Sequence, residues 1–318
     1  MIVIECSSRD GISMADAVSY EESRLKASVD TEEPTEELLQ WAKENIGEDP
    51  DTRELRICEL RDMIFERGEC TPDCTDDDFL LRFLRARHFI VPKAHRLLVN
   101  YYNFKESRPE YFENVDVNRM RQLAKTLVLS VPPYKDQHGR RMMFLNIGSW
   151  NPDEFTIPEL FQLAIGILEM SVLEPKCQIK GGVFIVDLSE LSLNLVWYLT
   201  PALAKDLMSV AMTSFPMRLE EVHFVFSSWV FDTAWSIFKP MLPSTVIAKI
   251  YFHGDDLDSL HNQIEPKYLP KRYGGIHFDY PLDVWFEDVI LNDEKILEAM
   301  AQLGYEQLRR LKTDESSY

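Results

Sequence analysis

The 318-residue chain is expected to fold as an α/β protein, a largely parallel sheet with flanking helices, preceded by a small all-helical unit. Three observations carry that expectation. Between about residues 35 and 107, apolar residues recur at helical spacing. After about residue 120, short β-rich runs alternate with helical stretches. One of those runs, Val183-Phe184-Ile185-Val186, is apolar throughout, as a strand covered on both faces should be.

Residues 1–30 are polar and poor in aromatics, the composition of a flexible acidic leader. Thr35-Glu36-Glu37 then opens a helix carrying Leu38, Leu39, Trp41 and Ala42. A second helix fits residues 51–67, with Leu55, Cys58, Leu60 and Ile64 predicted to face inward and Gly68 to stop it. Thr75-Asp76-Asp77-Asp78 is N-cap chemistry for a third, 79–87, whose apolar face is Phe79, Leu80, Phe83 and Leu84, with Arg82, Arg85 and Arg87 elsewhere on it. Pro92 starts a fourth, about 92–107. Strands follow at 126–131, 142–147, 183–188, 222–227 and 247–252, the first two joined by the turn Asp136-Gln137-His138-Gly139. Helices lie at 158–173, 200–213 and 229–241, and a tail helix at about 293–311. The division this suggests is a leader (1–30), a helical unit (31–117), an α/β unit (118–280) and a tail (281–318).

The net charge of −19 argues against nucleic acid as the main partner, because phosphate binding requires a surplus of Lys and Arg. That charge is unevenly spread. Residues 1–78 hold 8 basic and 23 acidic side chains, a local charge of −15; residues 79–141 carry +8 and residues 142–318 carry −12. The basic middle stretch is the part suited to phosphate. Five cysteines, at 6, 58, 70, 74 and 177, are too few for a disulfide framework, and Cys70-x3-Cys74 lacks the further ligands zinc requires, so free cytosolic thiols are expected. No signal peptide and no apolar run long enough to span a bilayer is read from the sequence, which places the chain in the cytoplasm.

No GxSxG elbow, Walker A loop, GxGxxG or HExxH occurs, and no cofactor or metal is expected. Asp187, at the end of a strand, is read as a turn cap, with a catalytic acid as the alternative. His223 and His253 fall in strands and are read as core or edge histidines. The segment 229–242 carries apolar residues at 230/231, 234/235, 237/238 and 241/242, with Asp232, Thr233, Ser236 and Lys239 on the other face. Its periodicity fits an ordinary core helix, a lid over an apolar cavity, or a face that enters a membrane surface.

Several motifs together resemble the CRAL-TRIO family. Residues 79–89, FLLRFLRARHF, resemble the hallmark of its N-terminal helical domain, and Asp136-Gln137-His138-Gly139-Arg140-Arg141 its D-x-x-G-R turn. Phe184-Ile185-Val186-Asp187-Leu188, Ser214-Phe215-Pro216, Phe238-Lys239-Pro240-Met241-Leu242 and residues 269–275, LPKRYGG, follow in the order of its lipid-binding domain. The resemblance covers about residues 50–280. It implies a cytosolic, monomeric, non-enzymatic carrier that holds one hydrophobic molecule, such as a retinoid, carotenoid, tocopherol or other terpenoid, in a cavity over the sheet. The helix 229–242 would be a gate that opens at a membrane.

The resemblance also implies a cavity wall of Phe161, Ala164, Leu168, Phe184, Val186, Leu207, Val210, Ala211, Phe215, Met217, Val222, Phe231, Trp235 and Phe238. Two serines that bind the polar end of the ligand in tocopherol-carrying members align with Ala164 and Leu168, which favours a different or less polar ligand end. Arg87, Arg218 and Lys249 align with a phosphoinositide-binding cluster, in which Glu220 and Thr245 replace two further basic residues. The other readings are a lipid-sensing module that binds a protein partner, and a lipid-acting enzyme centred on Asp187.

Overall fold

The computed structural model describes residues 25–227 and 229–309. Its first helix, α1 (Glu36–Ile46), starts where the Thr35 side chain accepts from the Leu38 amide and ends at Gly47, whose φ of 72° lies in the left-handed region. Helix α2 (Arg53–Arg67) stops at Gly68, and α3 (Asp77–Ala86) is capped by Asp76. Helix α4 (Val91–Ser107) carries Pro92 in its first turn. Two shorter helices, α5 (Pro109–Phe112) and α6 (Val117–Ala124), complete this part, α6 burying Val117, Met120, Leu123 and Ala124 at helical spacing.

One expectation is corrected. On α2 the inward stripe is Ile57, Leu60 and Ile64, whereas Cys58 is exposed and Leu55 keeps 55% of its surface. At about 100° per residue, Leu55 lies some 200° from Ile57, on the opposite side of the helix.

The sheet contains β1 (Leu129–Ser130) and β2 (Arg141–Asn146), followed by helices α7 (Ile157–Ser171) and α8 (Pro175–Lys180). Strand β3 (Gly182–Asp187) leads to α9 (Leu193–Val196) and α10 (Pro201–Met208), which continues as a π-helical turn, Ser209–Thr213. Strand β4 (Leu219–Val225) leads to α11 (Trp229–Phe238) and α12 (Ser244–Ile247), and β5 (Ile250–Gly254) to α13 (Leu257–His261). The spatial order is β1-β2-β3-β4-β5, with β1 antiparallel to β2 and the others parallel. A parallel order that always steps the same way, joined by right-handed crossovers, puts every crossover helix on one face of the sheet. Helices α7 to α12 therefore share one face, and α13 with residues 264–273 covers the other.

The tail contains α14 (Asp283–Trp285), a π-helical turn at Phe286–Ile290, and α15 (Glu294–Gln302). It returns to α7, where Trp285, Met300 and Tyr305 share a core with Leu163 and Met170, and Trp285 Nε1 donates to the Val131 carbonyl. The expected tail helix thus ends before Gly304, and its last residues, 310 and 311, lie outside the described residues. Of the expected leader, residues 1–24 lie outside the described residues. Ala27 is buried, its amide donating to Asp288, and the Asp30 amide donates to Glu174.

Candidate functional site

Strand pairing sorts the sheet residues into two faces. Met142, Phe144, Val183, Ile185 and Val225 point one way, pack with Leu260, Ile264, Leu269 and Tyr273, and are all buried. Leu145, Phe184, Val186, Val222 and Phe224 point the other way and remain half-buried, although α7, α10 and α11 lie over them. The facing side chains Leu160, Ala164, Leu203, Leu207, Val210, Ala211 and Met217 are half-buried too. These two apolar layers thus keep more accessible surface than the residues of the opposite face do.

The expected wall residues divide accordingly. Ala164, Phe184, Val186, Leu207, Val210, Ala211, Met217, Val222 and Trp235 are half-buried, Ala164, Phe184, Leu207, Val210 and Met217 at the edge of the large core and Val186 and Trp235 beside Phe231. Phe161, Leu168 and Phe215 are buried in the core shared with the amino-terminal helices, where Phe161 stacks on Tyr111 at 4.2 Å and Phe215 lies 6.3 Å from Tyr101. The side chain of Phe238 lies outside the described residues.

The amino-terminal helices hold the wall in place. Asp206 on α10 is buried and accepts from Arg108 Nε at 2.8 Å and Tyr111 Oη at 3.0 Å. The π-helical turn is gripped from outside, with Arg87 Nη2 donating to the Met212 carbonyl at 2.7 Å and Asn100 Nδ2 to the Thr213 carbonyl at 3.0 Å. Arg85 is fully buried, fork-bonded to Glu48 at 2.9 and 2.7 Å and donating to Gln178 Oε1 at 2.7 Å, which fixes α3 against α8. Glu169 on α7 accepts from Tyr101 at 2.7 Å, and burial raises its pKa above the ordinary carboxylate value.

Helix α11 packs against the end of strands β4 and β5 through aromatic rings. Phe231 is buried and Trp235 half-buried, and with Phe224 and Phe252 they form a box of rings whose centroids lie 5.0–6.2 Å apart. Asp232, Thr233, Ser236 and Lys239 are exposed, as the periodicity predicts. Around this helix lie apolar residues open to solvent: Trp229 (68% exposed) on α11, and Leu193 (47%) and Trp197 (83%) on the neighbouring α9 segment. The sequence pattern singles out neither Leu193 nor Trp197. Their signal, LNLVW beside a proline-initiated helix, reads equally well as core.

The three basic residues are each engaged within the chain. Besides the Arg87 contact, Arg218 donates to the Ile179 carbonyl and pairs with Glu220 at 2.7 Å, and Lys249 donates to the Leu219 carbonyl and lies 3.8 Å from Glu220. Glu220 therefore sits between two of the three cations. Burial, then the charge of Arg218, lowers the pKa of the adjacent His88.

Asp187 is buried, accepting from the Ser189 amide at 2.8 Å and from Tyr273 Oη at 2.9 Å, which is the geometry of a cap and a strut. His223 and His253 are buried on the sealed face, 3.0 Å apart. Among the described residues no group of side chains is arranged to hold a metal, and no helix is long and apolar enough to cross a membrane.

Comparison with known proteins adds to this geometry. The model of the CRAL/TRIO N-terminal domain matches residues 34–100, and that of the CRAL/TRIO domain matches residues 125–275. The chain is 31% identical over 268 residues to an alpha-tocopherol transfer protein-like protein of Mus musculus, covering 84% of this chain and 78% of that one. It is 31% identical to Clavesin-1 of Pongo abelii over 252 residues (78% and 71%) and 30% identical to Clavesin-2 of Rattus norvegicus over 251 (78% and 77%). A solved structure of Sfh5 superposes with a TM-score of 0.46 at 14% identity, covering 79% of this chain and 99% of that one.

Proposed function

We infer that this chain, which belongs to the CRAL/TRIO family, binds one small hydrophobic lipid over the open face of its sheet and transfers it between membranes without chemical change. The observation that carries the reading is the pair of half-buried apolar layers facing one another under α7, α10 and α11. Each CH₂ removed from water contributes about 0.8 kcal/mol, so a lipid of retinoid or tocopherol size leaves a membrane slowly unless a protein shields it. The similarity to an alpha-tocopherol transfer protein-like protein supports that class of cargo. The non-polar side chain at Ala164 favours a cargo with a less polar end than tocopherol.

In this reading α11 is the gate. Closed, Phe231 and Trp235 cover the cargo by packing tilted and edge-on against Phe224 and Phe252. At a membrane, exposed Trp229, Trp197 and Leu193 enter the lipid surface beside it, and the helix lifts. A phosphoinositide contact at Arg87, Arg218 and Lys249 is secondary, because Glu220 already neutralises two of these cations.

The test is transfer of a fluorescent tocopherol or retinoid analogue between donor and acceptor vesicles. The wild-type chain should move the label catalytically, and Trp235→Asp and Phe231→Asp should each abolish most of that rate. Unchanged transfer in both variants removes the gate assignment, and recovery of the label as a new mass favours an enzyme instead.

A further inference from the structure

A second uncovered surface lies on the amino-terminal helices. Between α2 and the start of α4 there is an open depression of about 540 Å³, floored by Met63, Phe89, Ile90, Val91 and Pro92 and rimmed by Arg56, Glu59, Asp62 and Glu66. Leu55, Glu59, Asp62 and Glu66 are spaced along one outward side of α2, and Phe65 flanks it. Of the apolar floor, Ile90 is 42% exposed, and Leu55, on the same outward line of α2 as the carboxylates, is 55% exposed. Arg56 is taken by Glu59 at 2.7 Å, while Asp62 and Glu66 have no ion-pair partner among the described residues.

We propose that this depression docks a basic amphipathic helix of another protein, its apolar residues resting on Met63, Ile90 and Pro92 and its Lys or Arg residues facing Asp62 and Glu66. Charge selects the occupant. Two such carboxylates beside an apolar floor attract a cationic helix and repel an anionic bilayer. The chain's own leader has the wrong sign, since residues 1–24 hold five acidic and two basic side chains. The dimensions also suit a helix, for the 15 residues of α2 make a rail about 22 Å long, and helix-in-groove docking uses such a surface. Nothing in the proposal depends on the lipid cargo.

The test titrates the full-length chain into a fluorescein-labelled Leu/Lys amphipathic peptide of about 15 residues at physiological salt, with the same pattern in Leu/Glu as control. The peptide also carries a photo-cross-linker. The Lys peptide should bind saturably and the Glu peptide should not, with cross-links falling on α2 and residues 89–92. The double variant Asp62→Lys/Glu66→Lys should weaken binding at least about tenfold and the apolar variant Ile90→Ser several-fold, with thermal melting unchanged. Absence of saturable binding, cross-links elsewhere, or affinity unmoved by both variants overturns the proposal. So does a loss of affinity for phosphatidylserine vesicles in the apolar variant, which would make this a membrane face.

Discussion

On one face of the sheet Met142, Val183, Ile185 and Val225 keep no accessible surface, while on the other Phe184, Val186, Val222 and Phe224 stay half-buried beneath helices that reach them. The strands are the same and the residue types nearly so; only the parity of position differs. Hydrophobicity therefore does not distinguish a core from a binding compartment in this chain. What distinguishes them is what lies opposite. The sealed face meets α13 and the 264–273 segment at close range, and its side chains are buried there. The open face meets a wall that other elements hold at a distance, through Asp206, Arg87 and Asn100.

Matched substitutions on the two faces break or sharpen that contrast. The largest effect is expected from Ile185→Ala, which leaves a hole in a filled core and should cost about 2–5 kcal/mol in urea unfolding. The partner change Val186→Ala removes atoms from a space not fully packed and should cost well under half as much. Enlarging side chains inverts the test. Val225→Phe overpacks the sealed face and should cost about 1–3 kcal/mol, whereas Val222→Phe, on the same strand but pointing into the open space, should fold normally and lose lipid capacity. Equal costs for the two members of either pair would show that both faces are filled.

The sealed face also holds the titrating pair. Burial, then the neighbouring His223, pulls His253 down to about 4 in the folded chain. The unfolded chain thus takes up a proton near pH 6.5 that the fold refuses until about pH 4, so stability should fall as pH drops across that interval. Burial pushes Glu221 up, but hydrogen bonds with His223 and Arg140 outweigh it and hold the carboxyl at about 2, which extends the loss below pH 4.5. Melting temperature against pH should decline between 6.5 and 4, and His253→Gln should flatten that part of the curve. The smallest effects belong to the basic surface. Arg87→Glu should weaken binding to phosphoinositide vesicles a few-fold in a salt-sensitive way, and Glu220→Gln, which frees Arg218 and Lys249, should strengthen it.

Much of this architecture is legible in the amino-acid sequence. The continuous apolar run 183–186 marks a strand covered on both sides, and the polar positions of 229–241 mark the outward face of α11. Cap chemistry locates the starts of α1 and α3 to within a residue or two. What the sequence conceals depends on partners distant along the chain. Arg85 reads as a surface arginine on an amphipathic helix, and it is buried because Glu48 and Gln178 meet it from 37 and 93 residues away. Leu55 reads as core until the angle between it and Ile57 is fixed by what α2 packs against. Leu193 and Trp197 are apolar by composition and exposed by placement, and no periodicity in a four-residue helix separates those outcomes.

The central claim, that the open face is a compartment for one lipid, is tested most directly by native mass spectrometry of the purified chain beside its Val222→Phe variant. The account predicts a single extractable lipid bound one-to-one in the wild type and a bare chain in the variant, both equally folded. A bare wild type that also takes up no lipid from vesicles, or the same lipid retained in full by the variant, would contradict it.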